Sequence, residues 1–514
     1  MPVDFNTIPP NLRVPLFWAE FDNTQAGYLQ TPQPACLLGY KLQTAPAATN
    51  TPLLVASYSQ AVALFGAGSM LADMVDAYRA NDPTGILYCI AVPAPTGTPA
   101  SGTVTFAGTP TQSSTIAVYV AGRRYPVGIV PTSTPTGIAN ALAAAINADP
   151  MSLVTAAAAS GVVTLTAHTA GTHGDVIDIS LNLAGIAGAE WTPSGLSVTL
   201  AAMAGGTGSP DITAALASLA DSEYDFVCSA WSDASELDEL KAAFNDQTGR
   251  WAWNVQLYGH AFTARGGTAA ALQTFGQARN DQHCSVLGFP QLAAPTATST
   301  IGTPSPAWRI AAALTGEAAV SLRADPARPL QTLPLNGVVF APPGSRFIVA
   351  DRQALLFSGI ATCTAYADGV ARIERCVTTY QKDGFGNADP SYLDVQTPAT
   401  LQLIVRTLRN AILSKFPRCK LADNGTRFGP GQAIVTPNIV RAELVAQYSE
   451  MEYLGIVENT PAFTNALIVE RNANDPNRLD VLFPPDLVNQ LRIFALLVQF
   501  RLQYPAPAAT AIAA

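Results

Sequence analysis

The chain has 514 residues, is 48% hydrophobic and only 13% charged, and carries a net charge of −9. So long a chain exceeds one ordinary core and predicts two to four domains. The charged share is about half of the ~25% usual in soluble domains, as expected of a subunit that hides surface in its neighbours, and the acidic balance, with a pI near 5.0, excludes a general nucleic-acid binder, which needs a basic face.

No run approaches the ~18 apolar residues needed to span a bilayer, so no membrane insertion is expected. The opening MPVDFNTIPP lacks the basic and apolar stretches of a secretory signal. Assembly in the cytoplasm follows as an expectation. The seven cysteines, Cys36, Cys89, Cys228, Cys284, Cys363, Cys376 and Cys419, form no CxxC and no Cys/His ligand spacing. Buried reduced thiols are expected of them.

In chain order, residues 1–30 read as an extended arm. Pro2, Pro9, Pro10 and Pro15 oppose a helix, and 16–22 form a short aromatic strand containing Phe17, Trp18 and Phe21. A strand at a chain end must pair with a sheet in its own subunit or another. Residues 31–94 and 208–365 read as two halves of one α/β domain. The first half predicts a strand at 35–38, helices at 59–65 and 70–80, and a strand at 86–92. The second predicts strands at 224–228, 253–258 and 284–289, alternating with helices at 212–219, 236–244, 269–279 and 307–320. That alternation implies a mostly parallel sheet covered by helices.

Between the halves, 95–207 is rich in Thr, Ala, Gly and Ser, and its charges are Arg123, Arg124, Asp149, Asp175, Asp178 and Glu190. Strand-like runs at 104–106, 116–120, 162–166, 176–181 and 198–200 surround one helix at 137–148, the pattern of an inserted β-rich domain. Residues 366–490 read as an α+β C-terminal domain that opens on a strand. Thr397-Pro398 and Thr436-Pro437 each look like a helix start, the first followed by the apolar stripe Leu401, Ile404, Val405, Leu408 and Ile412. The second helix is expected to end near Gly455, with strands at 466–470 and 479–483 after it. In 491–514, the stretch 492–502 alternates with apolar residues on both faces. Phe494, Leu496, Val498 and Phe500 point one way, and Ile493, Ala495 and Leu497 the other. Such a strand must sit in a sheet completed by something else. The tail after Tyr504 is expected to be disordered.

Chemistry is scarce. There is no GxxxxGK[ST] phosphate loop, no HExxH and no GxSxG. Gly66-Ala67-Gly68 lacks the third glycine of a dinucleotide fingerprint and reads as a helix-start turn. His173-Gly174-Asp175 could suggest a metal or an acid/base pair but is expected in a plain surface turn, and Asp383, Asn387 and Asp389 lack the calcium-loop spacing. No catalytic, cofactor-binding or metal-binding residue is assigned. An enzyme on a doubly wound sheet and a β-rich adhesin built on the insertion are the weaker readings. Arg406, Arg409, Lys415, Arg418 and Lys420 cluster on and after the first C-terminal helix, where they either complement its dipole and face water or meet a partner. From 371 onward 14 Lys+Arg face 13 Asp+Glu, net +1, against net −10 for the rest. That imbalance suits contacts between neighbouring subunits, or is chance variation between domains.

Residues 372–417, RIERCVTTYQKDGFGNADPSYLDVQTPATLQLIVRTLRNAILSKFP, carry a resemblance. The run Val377-Thr378-Thr379-Tyr380-Gln381-Lys382, then Ser391-Tyr392-Leu393-Asp394-Val395, then a helix closing in Lys415-Phe416-Pro417, resembles the C-terminal domain of contractile tail sheath proteins of myophages, in particular the Mu-like sheath family. The likeness is strongest over 366–420, weaker in the α/β body and slight in 95–207. It implies an α/β (α+β overall) multidomain subunit whose insertion faces outward. Copies would stack as six-fold rings around a tail tube, each donating strands from both arms to neighbours. It further implies that the basic cluster meets the tube or a neighbour. The partners would be the chain itself, a tail tube protein, and baseplate and tail terminator proteins, all within a virion that delivers a genome. A tailocin or another contractile injection system is the alternative setting.

Overall fold

A computed structural model describes residues 32–503. The first stretch supplies β1 (Ala35–Tyr40), β2 (Pro52–Leu54), α1 (Tyr58–Phe65), α2 (Met70–Arg79) and β3 (Leu87–Val92). The insertion follows with β4 (Pro99–Gly108), β5 (Ser114–Val120), β6 (Arg123–Ile129), α3 (Pro135–Ala148), β7 (Val154–Ala159), β8 (Val162–Ala170), β9 (Ile179–Leu181) and β10 (Leu196–Ala204). The chain then forms α4 (Thr213–Ala217), β11 (Phe226–Ser229), α5 (Ala234–Phe244), β12 (His260–Gly267), α6 (Ala269–Gln277), β13 (Cys284–Pro290), α7 (Ala307–Ala324), α8 (Val349–Phe357), β14 (Ala361–Ala365) and β15 (Ala371–Arg375). Last come α9 (Gln396–Lys415), β16 (Lys420–Leu421), β17 (Ile434–Val435), α10 (Pro437–Tyr453), α11 (Thr460–Ala466), β18 (Ile468–Arg471) and β19 (Leu479–Leu482).

An eight-stranded sheet, ordered β15-β14-β13-β12-β11-β1-β3-β2, forms the body. Its six inner strands run parallel, and β2 and β15 close the two edges antiparallel. β1, β11 and β13 are buried along their whole length. That is why their sequences read as continuous apolar runs rather than alternations. α2 and α7 pack together and onto β1, while α7 also covers β11 and β12. Ser57, Ser69 and Thr268 cap α1, α2 and α6 through their hydroxyls, fixing where each helix leaves its loop.

Two expectations for this body need correction. Residues 253–255 are a turn and 256–258 irregular, not a strand, and Trp253 is exposed. Positive φ at Gln256 and Tyr258 breaks any extended run there, and the strand begins only at His260. Gly259 (φ 108) makes that restart possible, since a Cβ would lie 2.4 Å from the Tyr224 carbonyl oxygen. The strand expected to open the C-terminal domain is instead β15, paired with β14 at Cys363↔Ile373. A short turn after Ala365 brings the chain back along β14, so the body's sheet runs past residue 365.

The insertion holds a four-stranded sheet, β10-β4-β8-β7, and a three-stranded one, β6-β5-β9, with α3 touching strands of both. β6 and β7 were hidden in sequence by Arg123-Arg124 and an all-alanine run. The stretch 176–181 is only partly a strand, because Thr172–Val176 coils as a 3-10 turn before β9. The insertion's two ends hold each other: Thr98 N donates to Thr207 Oγ1 (2.9 Å), and Thr207 N donates to the Thr98 carbonyl (3.0 Å). Asp178, 1% exposed, fastens β9 to the body. It accepts from Ile301 N (2.7 Å), Ser299 Oγ (3.0 Å) and Thr300 Oγ1 (3.1 Å).

A second, smaller core gathers Ile404, Val440, Leu444, Tyr448, Phe463 and Leu467 under α9, α10 and α11, with Tyr448 and Phe463 stacked at 3.7 Å. α10 starts where the sequence placed it, with Thr436 capping Ile439 N and Pro437 at the first helical position. α9 starts earlier than expected, at Gln396, with Val395 rather than Thr397 as its cap and no side-chain cap bond. Residues 492–502 form no strand in the single chain.

Candidate assembly interface

The chain beyond β19 first lies against the molecule and then leaves it. Leu487 bridges Val457, Val488 N donates to the Ile456 carbonyl (3.3 Å), and Gln490 Nε2 donates to the Ala327 carbonyl (2.9 Å). Past Arg492 the large apolar side chains turn into water. Ile493, Phe494, Leu496, Leu497, Val498, Phe500 and Leu502 are 70–97% exposed. Burying each is worth about 1.5–3 kcal/mol, so this stretch is a large stabilising reserve that the single chain does not use. Four of the expected arm residues, Phe494, Leu496, Val498 and Phe500, are among these. The others, Phe17, Trp18 and Phe21, lie outside the described residues.

β18 and β19 form a hairpin on their own, registered Ile468↔Leu482 and Arg471↔Leu479. β18 rests on α10. Among the described residues no third strand pairs with either edge. Ile468, Val481 and Leu482 are exposed beside those edges. Two strands alone are marginal in water, and their outer N–H and C=O rows are templates for another strand. Sequence periodicity found both strands but could not show that their edges stay open.

The basic cluster does not form one surface. Arg406 is buried, with Nη1 on Asp225 (2.5 Å) and Nη2 on Glu223 (2.9 Å), and so ties α9 to the body instead of facing a partner. Gln402 donates to the same Asp225 oxygen. Burial pushes the Asp225 carboxyl above the usual carboxylate range, and Arg406 opposes that rise. Lys415 pairs with Glu443 across to α10 (2.7 Å). Arg409, Arg418 and Lys420 are exposed, and Arg409 shares its face of α9 with exposed Val405 and Leu413 at four-residue spacing.

Among the described residues no group of three or more His, Cys, Asp or Glu is arranged to hold a metal. Burial pushes the thiols of Cys228, Cys363 and Cys376 up to about 12, far from a reactive thiolate. A cleft of about 270 Å³ opens between body and α9, lined by Asp225, Phe226, His260, Asp325, Pro398 and Leu403 among others, with no serine, threonine, cysteine or lysine in its wall. His173, expected in a plain surface turn, packs its ring 4.9 Å from that of Tyr40 and 6.0 Å from that of Trp308, and burial lowers its pKa to about 4. Asp383 accepts from Phe385 N and Asn387 N, both at 2.9 Å, so it braces its own loop.

Comparison with known proteins agrees with an assembly protein. A family model for the phage tail sheath protein central domain matches residues 205–379, and one for the phage tail sheath C-terminal domain matches residues 387–501. A Mu-like prophage FluMu tail sheath protein from Haemophilus influenzae is 39% identical over 505 residues, covering 97% of this chain and 100% of that protein. Among solved structures, a sheath tail protein from Desulfitobacterium hafniense is similar at a TM-score of 0.47 and 13% identity, covering 93% of this chain and 97% of that one. The helical sheath of the anti-feeding prophage in its contracted state is similar at a TM-score of 0.44 and 10% identity, covering 96% and 100%. With identity of that level across almost the whole sequence and both sheath domains matched in order, the chain belongs to the phage tail sheath protein family.

Proposed function

We propose that this chain is the repeating subunit of a contractile tail sheath, and that its work is assembly followed by one mechanical stroke rather than catalysis. The observation that carries this reading is the coexistence, in one subunit, of an apolar exposed arm from Ile493 onward and a hairpin, β18–β19, with open edges. An arm added to the hairpin of the next subunit satisfies both backbones and buries both apolar surfaces. Arm and hairpin are different surfaces of one chain, so the contact is head-to-tail. Repetition without closure gives a helical stack.

In the full reading, six-fold rings stack around a tail tube between baseplate and tail terminator proteins, within a virion assembled in the host cytoplasm. The N-terminal residues 1–30 act as a second donated strand, the insertion 95–207 faces outward, and Arg409, Arg418 and Lys420 meet the tube or a neighbour. The stack is trapped in an extended state by its template and relaxes to a shorter, wider lattice when released. Subunits swing as rigid bodies while the arms stay paired. The stroke drives the tube through the host envelope. Energy is stored at assembly, so no nucleotide is consumed.

The test is to express the full chain and a version lacking residues 493–514, and to examine both by negative-stain electron microscopy. Hollow tubes or stacked rings are expected from the full chain, and a folded, monomeric protein from the shortened one. Tubes of normal length from the shortened protein would refute arm donation.

A further inference from the structure

The arm does not leave the molecule loosely. Arg492, whose side chain is 12% exposed, donates from Nη2 to Asp394 Oδ1 (3.0 Å) and to Gln396 Oε1 (3.2 Å). Its Nη1 reaches Gln331 Oε1 (3.5 Å). Asp394 is simultaneously gripped by the Arg375 fork, Nε to Oδ1 at 2.9 Å and Nη2 to Oδ2 at 2.8 Å. One carboxylate thus joins the edge strand of the main sheet (β15), the start of α9 and the last anchored residue of the arm. Gln331 closes the arrangement by donating from Nε2 to the Leu491 carbonyl (3.4 Å). The next residue, Ile493, is 79% exposed.

We propose that Arg492 is a positioning residue for assembly: its grip on Asp394 fixes the direction in which the arm leaves, so that the arm arrives at a neighbour already aimed. This rests on the arm-donation reading above. Two features support it. Arg375 alone occupies both oxygens of Asp394, so the protein does not need Arg492 to satisfy that carboxylate. Yet Arg492 is drawn out of water to share it, with Nη2 spanning Asp394 and Gln396 while Nη1 reaches Gln331, so that the planar guanidinium is fixed in orientation as well as charge. A contact that the Asp394 carboxylate does not need, and which sits at the boundary between anchored and exposed chain, is suited to set direction. Limiting the arm's search lowers the entropy lost on docking, which is the general benefit of preorganisation.

The experiment compares the full chain with Arg492→Gln, Arg492→Lys and the 493–514 deletion. Three quantities are read: the critical concentration for tube formation, the melting temperature of the monomer below that concentration, and amide hydrogen exchange. For Arg492→Gln the expected result is a critical concentration raised about tenfold, equivalent to about 1.4 kcal/mol. Its melting temperature should be unchanged, and exchange should be faster only over residues 487–492. Arg492→Lys, which keeps the charge and loses the fork, should fall between. Wild-type critical concentration for Arg492→Gln overturns the proposal. So does a rise accompanied by a lowered melting temperature and faster exchange throughout, because that pattern marks a merely structural contact. The deletion separates the two ideas. If it blocks tubes while Arg492→Gln behaves as wild type, arm donation stands and the aiming role falls. If the deletion forms normal tubes, arm donation itself fails.

Discussion

His173 joins the insertion to the body. Its Nε2 lies 2.8 Å from Thr169 Oγ1, and its ring is enclosed by Tyr40 and Trp308, so burial holds it neutral with a pKa of about 4. An unfolded chain protonates the same ring near the ordinary value of about 6.5. As pH falls from about 6.5 to about 4, the unfolded state takes up a proton that the folded state refuses, and stability drops. Below about pH 4 the folded state accepts it too and the loss levels off. The full shift corresponds to an upper figure of about 3 kcal/mol. Replacing His173 by Gln keeps a polar group for Thr169 and removes the titration. The prediction is a flatter stability-versus-pH curve between pH 6.5 and 4.5 than wild type, measured by urea unfolding at each pH. Parallel curves would mean that the ring protonates without opening the joint. Other titrating groups, His168 and His260 among them, are common to both proteins and cancel in the difference.

At the scale of elements, the β18–β19 hairpin makes the sharpest prediction. Leu482 is exposed and pairs across the hairpin with Ile468. Changing Leu482 to Lys puts a charge beside the open edge, a device by which sheets repel added strands. Monomer stability should change by no more than about 0.5 kcal/mol, as for an ordinary surface site. Tube formation should be lost or need far more protein. Unaltered tubes would place the acceptor elsewhere. The elements also show what sequence could convey. Thr436-Pro437 announced α10 because its capping partner, Ile439 N, lies three residues away. The equally good Thr397-Pro398 misplaced α9, which starts at Gln396 with no side-chain cap, directly after Asp394, itself held between Arg375 and Arg492. Along α9 the expected stripe holds at Ile404, Leu408 and Ile412, which pack in the smaller core, but not at Val405. Val405 faces water, while Gln402 and Arg406 are buried by Asp225, 181 residues before Arg406. The strand predicted at 253–258 failed for the opposite reason. Its alternation of Trp, Val, Leu and Tyr is strand-like, and only the backbone at Gln256, Tyr258 and Gly259 forbids it. Local signals were legible, and partners remote in sequence were not.

For the whole molecule the remaining issue is which force holds subunits together. The charge division, near neutral after residue 371 and acidic before it, suggested ionic attraction between neighbours. The ion pairs inside the subunit weaken that idea. Among the described residues after 371, Arg372, Arg375, Arg406, Lys415, Arg471, Arg478 and Arg492 all have acidic partners within the same chain. The insertion is similar, with Arg124 on Glu190 (2.6 Å), Asp178 enclosed in hydrogen bonds, and Arg123 between Asp73 and Asp149. What the subunit offers outward, besides the exposed Arg409, Arg418 and Lys420, is the apolar arm and unpaired strand edges, while every copy carries a net charge of −9. Association driven by apolar burial and backbone pairing does not weaken when ions are screened, whereas repulsion between like-charged subunits does. The critical concentration should therefore fall or stay level as sodium chloride rises from about 50 to about 500 mM, a range over which the Debye length shrinks from somewhat above ~10 Å to below it. It should also fall on warming from about 5 to about 25 °C, as apolar burial strengthens. A steep rise with salt, measured by pelleting at a series of protein concentrations, would instead assign the contacts to charge pairs, and Arg409, Arg418 and Lys420 would become the first residues to replace.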